Sequence, residues 1–326
     1  MVSFVVPCYN EEGNVRLIYE EIHRVFDARQ IPVEIVMVND GSKDGTGKAL
    51  RELKQEKDDD GLIVVQFSRN FGKEAAMYSG LKHTNGEYVC IIDADLQERP
   101  EVALEMYDLL AETPELDVVA AYQDKRKESK VLSFFKRAFY RIINRLCEID
   151  FHAGASDFRM FRRSVTNAIL SISEYHRFSK GIFSFVGFET KYIPYDVAKR
   201  ASGSSKWSFG KLFRYAIDGI IGYSTVPLKI STILGLLISF TAFVYMIVLL
   251  VKTLAFGRDV PGYATIVGLI LLLGGIQLLM LGIIGEYLAK AYIQGKNRPV
   301  YIEKEVLEGK KHAEDSFDKK QDQPAD

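Results

Sequence analysis

Residues 86–95 read GEYVCIIDAD, an apolar run from Tyr88 to Ile92 that delivers two aspartates one residue apart. A short, unbroken apolar run bounded by Gly86 and by acids suits a strand buried on both faces. Residues i and i+2 of a strand point to one side, so Asp93 and Asp95 aim two carboxylates at the same region. Carboxylates that converge repel unless a proton or a cation lies between them. A hard divalent cation, Mg2+ or Mn2+, prefers oxygen ligands and typically takes one or two carboxylates plus substrate phosphates. Gln97 adds a neutral oxygen nearby. The plainer alternative is a pair of exposed acids ahead of the helix that Pro100 opens.

The flanking segments repeat the same pattern. VSFVVPCY (2–9), VEIVMVND (33–40), GLIVVQFSRN (61–70) and LDVVAAY (116–122) read as further strands. Between them, EEGNVRLIYEEIHRVFDA, GSKDGTGKALRELKQ, KEAAMYSGLKHT and PEVALEMYDLLAE read as helices. Asp44 is placed to cap the second helix and Pro100 to sit in the first turn of the fourth. Strand and helix alternating in units of about 30 residues predict an α/β, Rossmann-like domain with a mostly parallel sheet. Ligands of such sheets sit beyond the carboxyl ends of the strands. Three of those ends carry polar residues: Asn10-Glu11-Glu12, Asp40-Gly41 and Asp93-Ala94-Asp95. No GxGxxG follows the first strand and no GxxxxGK[ST] occurs, which removes the main motif of dinucleotide and P-loop sites.

The bulk composition narrows the function further. A net charge of −1 over 326 residues gives no electrostatic case for nucleic acid. Cys8, Cys90 and Cys147 fit no metal or disulfide spacing, and Cys8 and Cys90 read as buried, reduced thiols. The histidines are scattered and are assigned no metal. Met1 leads into VSFVVPCYN without a basic start, so no signal peptide is expected. After about residue 225 the composition changes. Residues 230–251 (ISTILGLLISFTAFVYMIVLLV) and 260–285 (VPGYATIVGLILLLGGIQLLMLGIIG) are uncharged and long enough to span a bilayer. Lys206, Lys211, Arg214 and Lys229 precede the pair and Lys290, Lys296, Arg298 and Lys304 follow it, with only Lys252 and Arg258 between. The positive-inside rule then predicts a multi-pass protein of the cell membrane with the N-terminal domain and both termini cytoplasmic. The expected divisions are a catalytic domain over 1–206, an interfacial amphipathic helix over 207–225, two transmembrane helices over 226–290 and a partly disordered tail over 291–326.

VVPCYNEE, VNDGSKDGT, FSRNFGKEAA, DADLQERP, DFRMF and KRASGSSKW follow one another in the order and approximate spacing of the family 2 glycosyltransferases. The chain most resembles the polyprenyl-phosphate group, the bactoprenol glucosyltransferases and dolichol-phosphate mannose synthases, over about residues 2–290, membrane hairpin included. The resemblance implies a GT-A nucleotide-sugar domain in which Pro7, Tyr9 and Glu11 line the nucleoside pocket and Asp40 accepts a hydrogen bond from uracil. It implies Lys73 near the nucleotide, Asp93 near ribose and metal, and Asp95 with Gln97 holding the metal on the diphosphate. Arg200, Ser205 and Lys206 would join the donor site, with Trp207 either over a sugar face or at the membrane interface. A metal and the cations Lys73, Arg200 and Lys206 would offset charge on departing UDP.

The implied acceptor is undecaprenyl phosphate, which requires cations facing the membrane. DKRKESKVLSFFKRAFYRIINR supplies them, with Arg126 and Arg137 as candidate phosphate contacts. Related sequences carry a glycine and an arginine ahead of this stretch, where this chain has YQDKR. Asp157 matches the acidic position near the acceptor and is the candidate catalytic base. A phosphomonoester is already anionic near neutral pH, so Asp157 has two other roles open to it: orienting the acceptor, or stabilising positive charge on the sugar. Phe158 and Phe161 read as core. The expected reaction is inverting transfer of one hexose from a UDP-sugar, by a homo-oligomer with a tetramer as the candidate assembly. Two other readings stand beside it. A processive polysaccharide synthase would carry a QxxRW-type motif and more spans, and a silent membrane scaffold would have lost an aspartate of the pair. The sugar itself is not legible in the sequence.

Overall fold

The computed structural model describes residues 1–123, 155–196, 221–256 and 262–309. One unit takes the described residues up to 196 together with those from Arg298 on, and a second takes those from 221 to Asn297.

The first unit is built on eight strands: β1 (Val2–Cys8), β2 (Val33–Asn39), β3 (Leu62–Phe67), β4 (Tyr88–Ile91), β5 (Val118–Gln123), β6 (Ala155–Arg162), β7 (Thr190–Tyr195) and β8 (Glu303–Leu307). Its helices are α1 (Val15–Asp27), α2 (Thr46–Lys57), α3 (Lys73–Lys82), α4 (Pro100–Glu112), α5 (Arg163–Ser171) and α6 (Ser179–Phe185). The sheet order is β7-β5-β6-β4-β1-β2-β3-β8. β1 pairs parallel with both β2 and β4, β2 with β3, and β5 with β7. β6 runs antiparallel between β4 and β5, and β8 antiparallel along β3. The expected α/β, mostly parallel GT-A sheet is therefore what the chain forms.

Side-chain alternation explains the layering. Phe4, Val6, Ile35, Met37 and Val64 point to one face, where they meet Ile18, Ile22 and Phe26 of α1 and Leu50 and Leu53 of α2. Val36, Val38, Ile63 and Val65 point to the other, against Ala75 and Ala76 of α3. Each large side chain so buried contributes about 1.5–3 kcal/mol. The rings of Phe4 and Phe26 meet edge to face with centroids 5.0 Å apart. α3 lies close on the sheet because Gly80 has no side chain: a Cβ there would sit 2.3 Å from Val5 Cγ1. Cys8, Cys90, Phe158 and Phe161 are buried as expected. Pro100 occupies the first turn of α4; the cap position of α2 is Gly45 and not the expected Asp44, which lies one residue earlier and accepts the Thr46 N–H 3.1 Å away.

In the second unit, α7 (Val226–Phe256) and α8 (Tyr263–Gly295) have 31 and 33 residues. At 1.5 Å per residue each is about 45–50 Å long, more than the roughly 30 Å of a hydrocarbon core. Leu236, Leu254 and Leu278 are 71%, 79% and 72% exposed, a surface that lipid can cover and water would not tolerate. The Tyr287 hydroxyl donates to the Ser224 carbonyl at 2.6 Å.

The stretch read from sequence as tail, 291–326, begins with the last turn of α8 and then forms an ordered strand. β8 lies on the edge of the first unit's sheet, with Val306 opposite Val65 and Glu305 opposite Gln66. Its sequence, EKEVL, is charged and short, the composition of an edge strand, so no apolar run announces it. The remainder of that tail, 310–326, and residues 207–220 of the expected interfacial helix lie outside the described residues.

Candidate active site

The carboxyl ends of β1 and β2 are stitched together by their loops. The backbone N–H groups of Asn10 and Glu11 donate to the hydroxyls of Ser42 (3.0 Å) and Thr46 (2.8 Å). In return, the Lys43 N–H donates to Asn10 Oδ1 at 2.9 Å and the Gly45 N–H to Glu12 Oε2 at 3.1 Å. Pro7, Tyr9 and Glu11, the expected nucleoside contacts, are half-buried on this rim, and Glu11 Oε2 also accepts from Asn14 Nδ2 at 2.6 Å.

Asp40 follows β2 directly and is buried. Its Oδ1 accepts the Phe71 N–H at 2.6 Å, and its Oδ2 accepts the Gly72 N–H and the Asn70 amide, both at 2.9 Å. Burial raises the Asp40 carboxyl above its ordinary range, and the Phe71 and Gly72 bonds pull against that rise. Asp40 thus fixes the loop that leads into α3. Each carboxylate oxygen has two lone pairs, so these three bonds leave one acceptor position on Oδ1. Gly41, at φ +59°, makes the turn possible: a Cβ there would lie 2.3 Å from the backbone carbon of Arg69.

The antiparallel β4–β6 register pairs Cys90 with Met160 and Ile91 with Arg159. Continued by two residues, it sets Asp93 opposite Asp157. Lys73, the first residue of α3, reaches both: its ammonium is 2.7 Å from Asp93 Oδ1 and 3.1 Å from Asp157 Oδ2. Burial alone would lower the Lys73 pKa, but Asp93, Asp157 and Glu98 together carry it well above its ordinary value. Burial alone would raise Asp157; Lys73, then Lys180 and Arg159, instead hold it down at about 2. The second oxygen of Asp157, Oδ1, is buried with no hydrogen-bond partner among the described residues.

Beyond Asp93 the chain reverses sharply. Leu96 has φ +59°, a left-handed conformation that costs a bulky residue on the order of 1–3 kcal/mol and gathers at functional loops. Asp95 is buried and its Oδ1 accepts the Gln97 N–H at 3.1 Å. Glu98, buried at 5% exposure, accepts the Asp93 N–H at 3.0 Å and the Ser156 hydroxyl at 2.7 Å. Burial first, then Asp93, pushes the Glu98 carboxyl up to about 8.

Whether a divalent cation suits this place is decided by the donors. Asp93, Asp157 and Glu98 crowd one ammonium with hard oxygen ligands, and Asp95 adds a further carboxylate on the adjoining turn. Among the described residues no group of three or more acidic, His or Cys side chains is disposed to enclose an ion by itself. The residues fit Mg2+ or Mn2+ held by two carboxylates and completed by substrate oxygens.

α6 covers the face of β6 that bears Asp157. Ser179 gives both its N–H, at 2.9 Å, and its hydroxyl to Glu74 Oε2, locking α6 to the start of α3. Burial, then Asp157, raises Glu74 to about 7. Arg159, two residues along the same face, lies 4.0 Å over the Phe183 ring, and burial lowers it to about 10. Burial also lowers Lys180.

Of the residues expected from sequence, the structure brings Lys73, Asp93 and Asp157 into one array, with Asp95 and Gln97 on the adjoining turn and Asp40 joined through the 70–72 loop. Arg126, Arg137, Arg200, Ser205, Lys206 and Trp207 lie outside the described residues. Sequence reasoning passed over Glu98, Glu74, Arg159 and Lys180. Glu98 alone carried a signal, an acid two residues before a helix that Pro100 already explained.

Residues 3–170 match the model of glycosyl transferase family 2. The chain belongs to that family. The transferase also matches the GtrB C-terminal hairpin over residues 226–291, which coincides with α7 and α8. It is 40% identical over 306 residues to the putative glycosyltransferase CsbB of Bacillus subtilis, covering 94% of this chain and 92% of that one. It is 36% identical over 309 residues to the SfII prophage-derived bactoprenol glucosyl transferase of Shigella flexneri, covering 94% and 99%. The transferase is thus a membrane glycosyltransferase with a GT-A domain and a two-helix hairpin.

Proposed function

We propose that this transferase moves one hexose, with glucose the first candidate, from a UDP-sugar to a polyprenyl phosphate at the cytoplasmic membrane face. The observation that carries the reading is the Asp93–Lys73–Asp157 array at the carboxyl end of β4, in a chain with a lipid-facing hairpin and bactoprenol glucosyl transferases among its relatives.

The stitched loops of β1 and β2 would seat the nucleoside, with Asp40 and Glu11 at their rim. Asp93 and Asp95, with Gln97, would hold Mg2+ or Mn2+, which supplies positive charge to the leaving diphosphate. Lys73 stands within reach of the same place and adds a second cation where charge develops as the bond from the anomeric carbon to UDP breaks. An acceptor phosphate oxygen attacks the opposite face of that carbon and inverts it. A phosphomonoester is already largely ionised near pH 7, and a good general base has a pKa near the working pH. Asp157 is held at about 2, so we assign it to orienting Lys73 and offsetting positive charge on the sugar, and not to proton removal. Arg126 and Arg137 stand as candidates for the acceptor phosphate, and Arg200, Ser205, Lys206 and Trp207 for the donor side.

The pairing of β8 with β3 supports one side for the chain before and after the hairpin, since both contribute to a single sheet. The basic residues flanking the spans favour the cytoplasm as that side. Cysteine introduced at residue 257 should then react with an impermeant thiol reagent from outside intact cells.

The test is incubation of the purified full chain with undecaprenyl phosphate and UDP-glucose, UDP-galactose or UDP-N-acetylglucosamine, followed by mass spectrometry of the lipid. A glycosylated lipid phosphate is expected from one donor. UDP release with unchanged lipid from every donor would overturn the reading.

A further inference from the structure

We propose that Glu98 is a positioning residue, whose buried carboxyl group ties the loop bearing Asp93 and Asp95 to the strand bearing Asp157, so that donor-side and acceptor-side groups keep one spacing. The inference deepens the functional reading above and rests on it for the meaning of the two sides.

A continuous path of hydrogen bonds makes the tie. The Asp93 N–H donates to Glu98 Oε2, 3.0 Å away. The Ser156 hydroxyl donates to Glu98 Oε1 at 2.7 Å, and the same hydroxyl oxygen accepts the Phe158 N–H at 3.2 Å. The path therefore grips the backbone beside Asp93 at one end and the backbone on either side of Asp157 at the other. β4 stops at Ile91, so ladder bonds no longer hold the two chains where the functional carboxylates begin. The left-handed Leu96 between Asp95 and Glu98 is the kind of conformation that persists only where neighbouring contacts fix it.

Lys73 also spans the two sides, but it serves differently. Its side chain is 42% exposed, and an incoming diphosphate competes with Asp93 and Asp157 for its ammonium. Glu98 is buried and faces backbone and Ser156, so the spacing it sets survives donor binding. A misplacement of about 1 Å in such an array costs up to about a hundredfold in rate.

The experiment compares Glu98→Ala, Glu98→Gln and Ser156→Ala in the full chain, by steady-state kinetics and by amide hydrogen exchange without donor or metal. Glutamine can keep both ends, with its carbonyl on the Asp93 N–H and its amide on the Ser156 oxygen. Glu98→Ala should lower kcat about tenfold or more, with KM for the UDP-sugar within about twofold, and Glu98→Gln should restore most of it. Peptides around 91–96 and 155–160 should both exchange faster in Glu98→Ala, and Ser156→Ala should quicken exchange at 91–96 across the path. Faster exchange at 91–96 alone, with Ser156→Ala leaving that peptide unchanged, would overturn the proposal. So would a glutamine variant as slow as the alanine one. If the wild-type chain transfers no sugar to lipid, the functional reading falls, and the exchange measurements still decide the tie.

Discussion

Asp93 and Asp157 face each other in the continued β4–β6 register, and the Lys73 ammonium stands between them, 2.7 Å from one and 3.1 Å from the other. Two carboxylates gathered on one ammonium repel each other, so the lysine holds together what their like charge would push apart.

Lys73→Met should expose that repulsion. At neutral pH it should cost about 1–2 kcal/mol, discounted because the lysine is partly exposed, together with most of the transferase activity. Adding Asp157→Asn should return the stability but not the activity. Thermal melts of the single and double variants in detergent check this; equal losses in both would mean that the carboxylates do not oppose each other.

The acid limb of stability should carry the Asp157 signature. Its pKa is about 2 in the folded chain against an ordinary 3.8, so its contribution is present above about pH 4 and is lost as pH falls toward 2. The size is about 2 kcal/mol. Asp157→Asn should flatten the melting temperature over that window, and an unchanged slope would contradict the pairing.

Asp95→Asn should remove most turnover, about a hundredfold, while the melting temperature without metal moves little, because it weakens ion ligation and not packing. The activity left should respond less steeply to added Mn2+. Near wild-type turnover in EDTA-treated Asp95→Asn would exclude the metal reading.

His83 lies 2.9 Å from Glu303 and 3.4 Å from Glu308, at the place where β8 meets the sheet. Burial alone would lower its pKa, but the two acids carry it above 6.5. The stability it lends is therefore fully present below pH 6.5 and is lost as pH rises through the folded value. Amide exchange in residues 301–309 should speed up as pH climbs through that range, after correction for intrinsic rates. Glu303→Gln should remove most of that dependence.

The alternation of strand and helix was legible because β1 to β4 are apolar runs between turns, and Asp93 and Asp95 stood out at a strand end. The Lys73–Asp157 contact was not, because β6 enters the sheet between β4 and β5 out of chain order, and nothing local in DFRMF gives its direction. Glu98 went unread because its partners, the Asp93 N–H and the Ser156 hydroxyl, are brought to it only by the fold. β8 escaped notice because an edge strand needs no apolar pattern.

The late arrival of β8 sets an order of assembly. Arg51 of α2 and Glu305 of β8 pair at 2.8 Å although 254 residues separate them. On the ribosome β3 emerges with one edge open, and at about 5–20 residues per second that edge waits on the order of 10–50 s for its neighbour. Both membrane helices are made in the interval, so the sheet closes only after the hairpin has been synthesised. A nascent chain stalled between the spans should keep β3 accessible to proteases or chaperones, and release of the last residues should protect it.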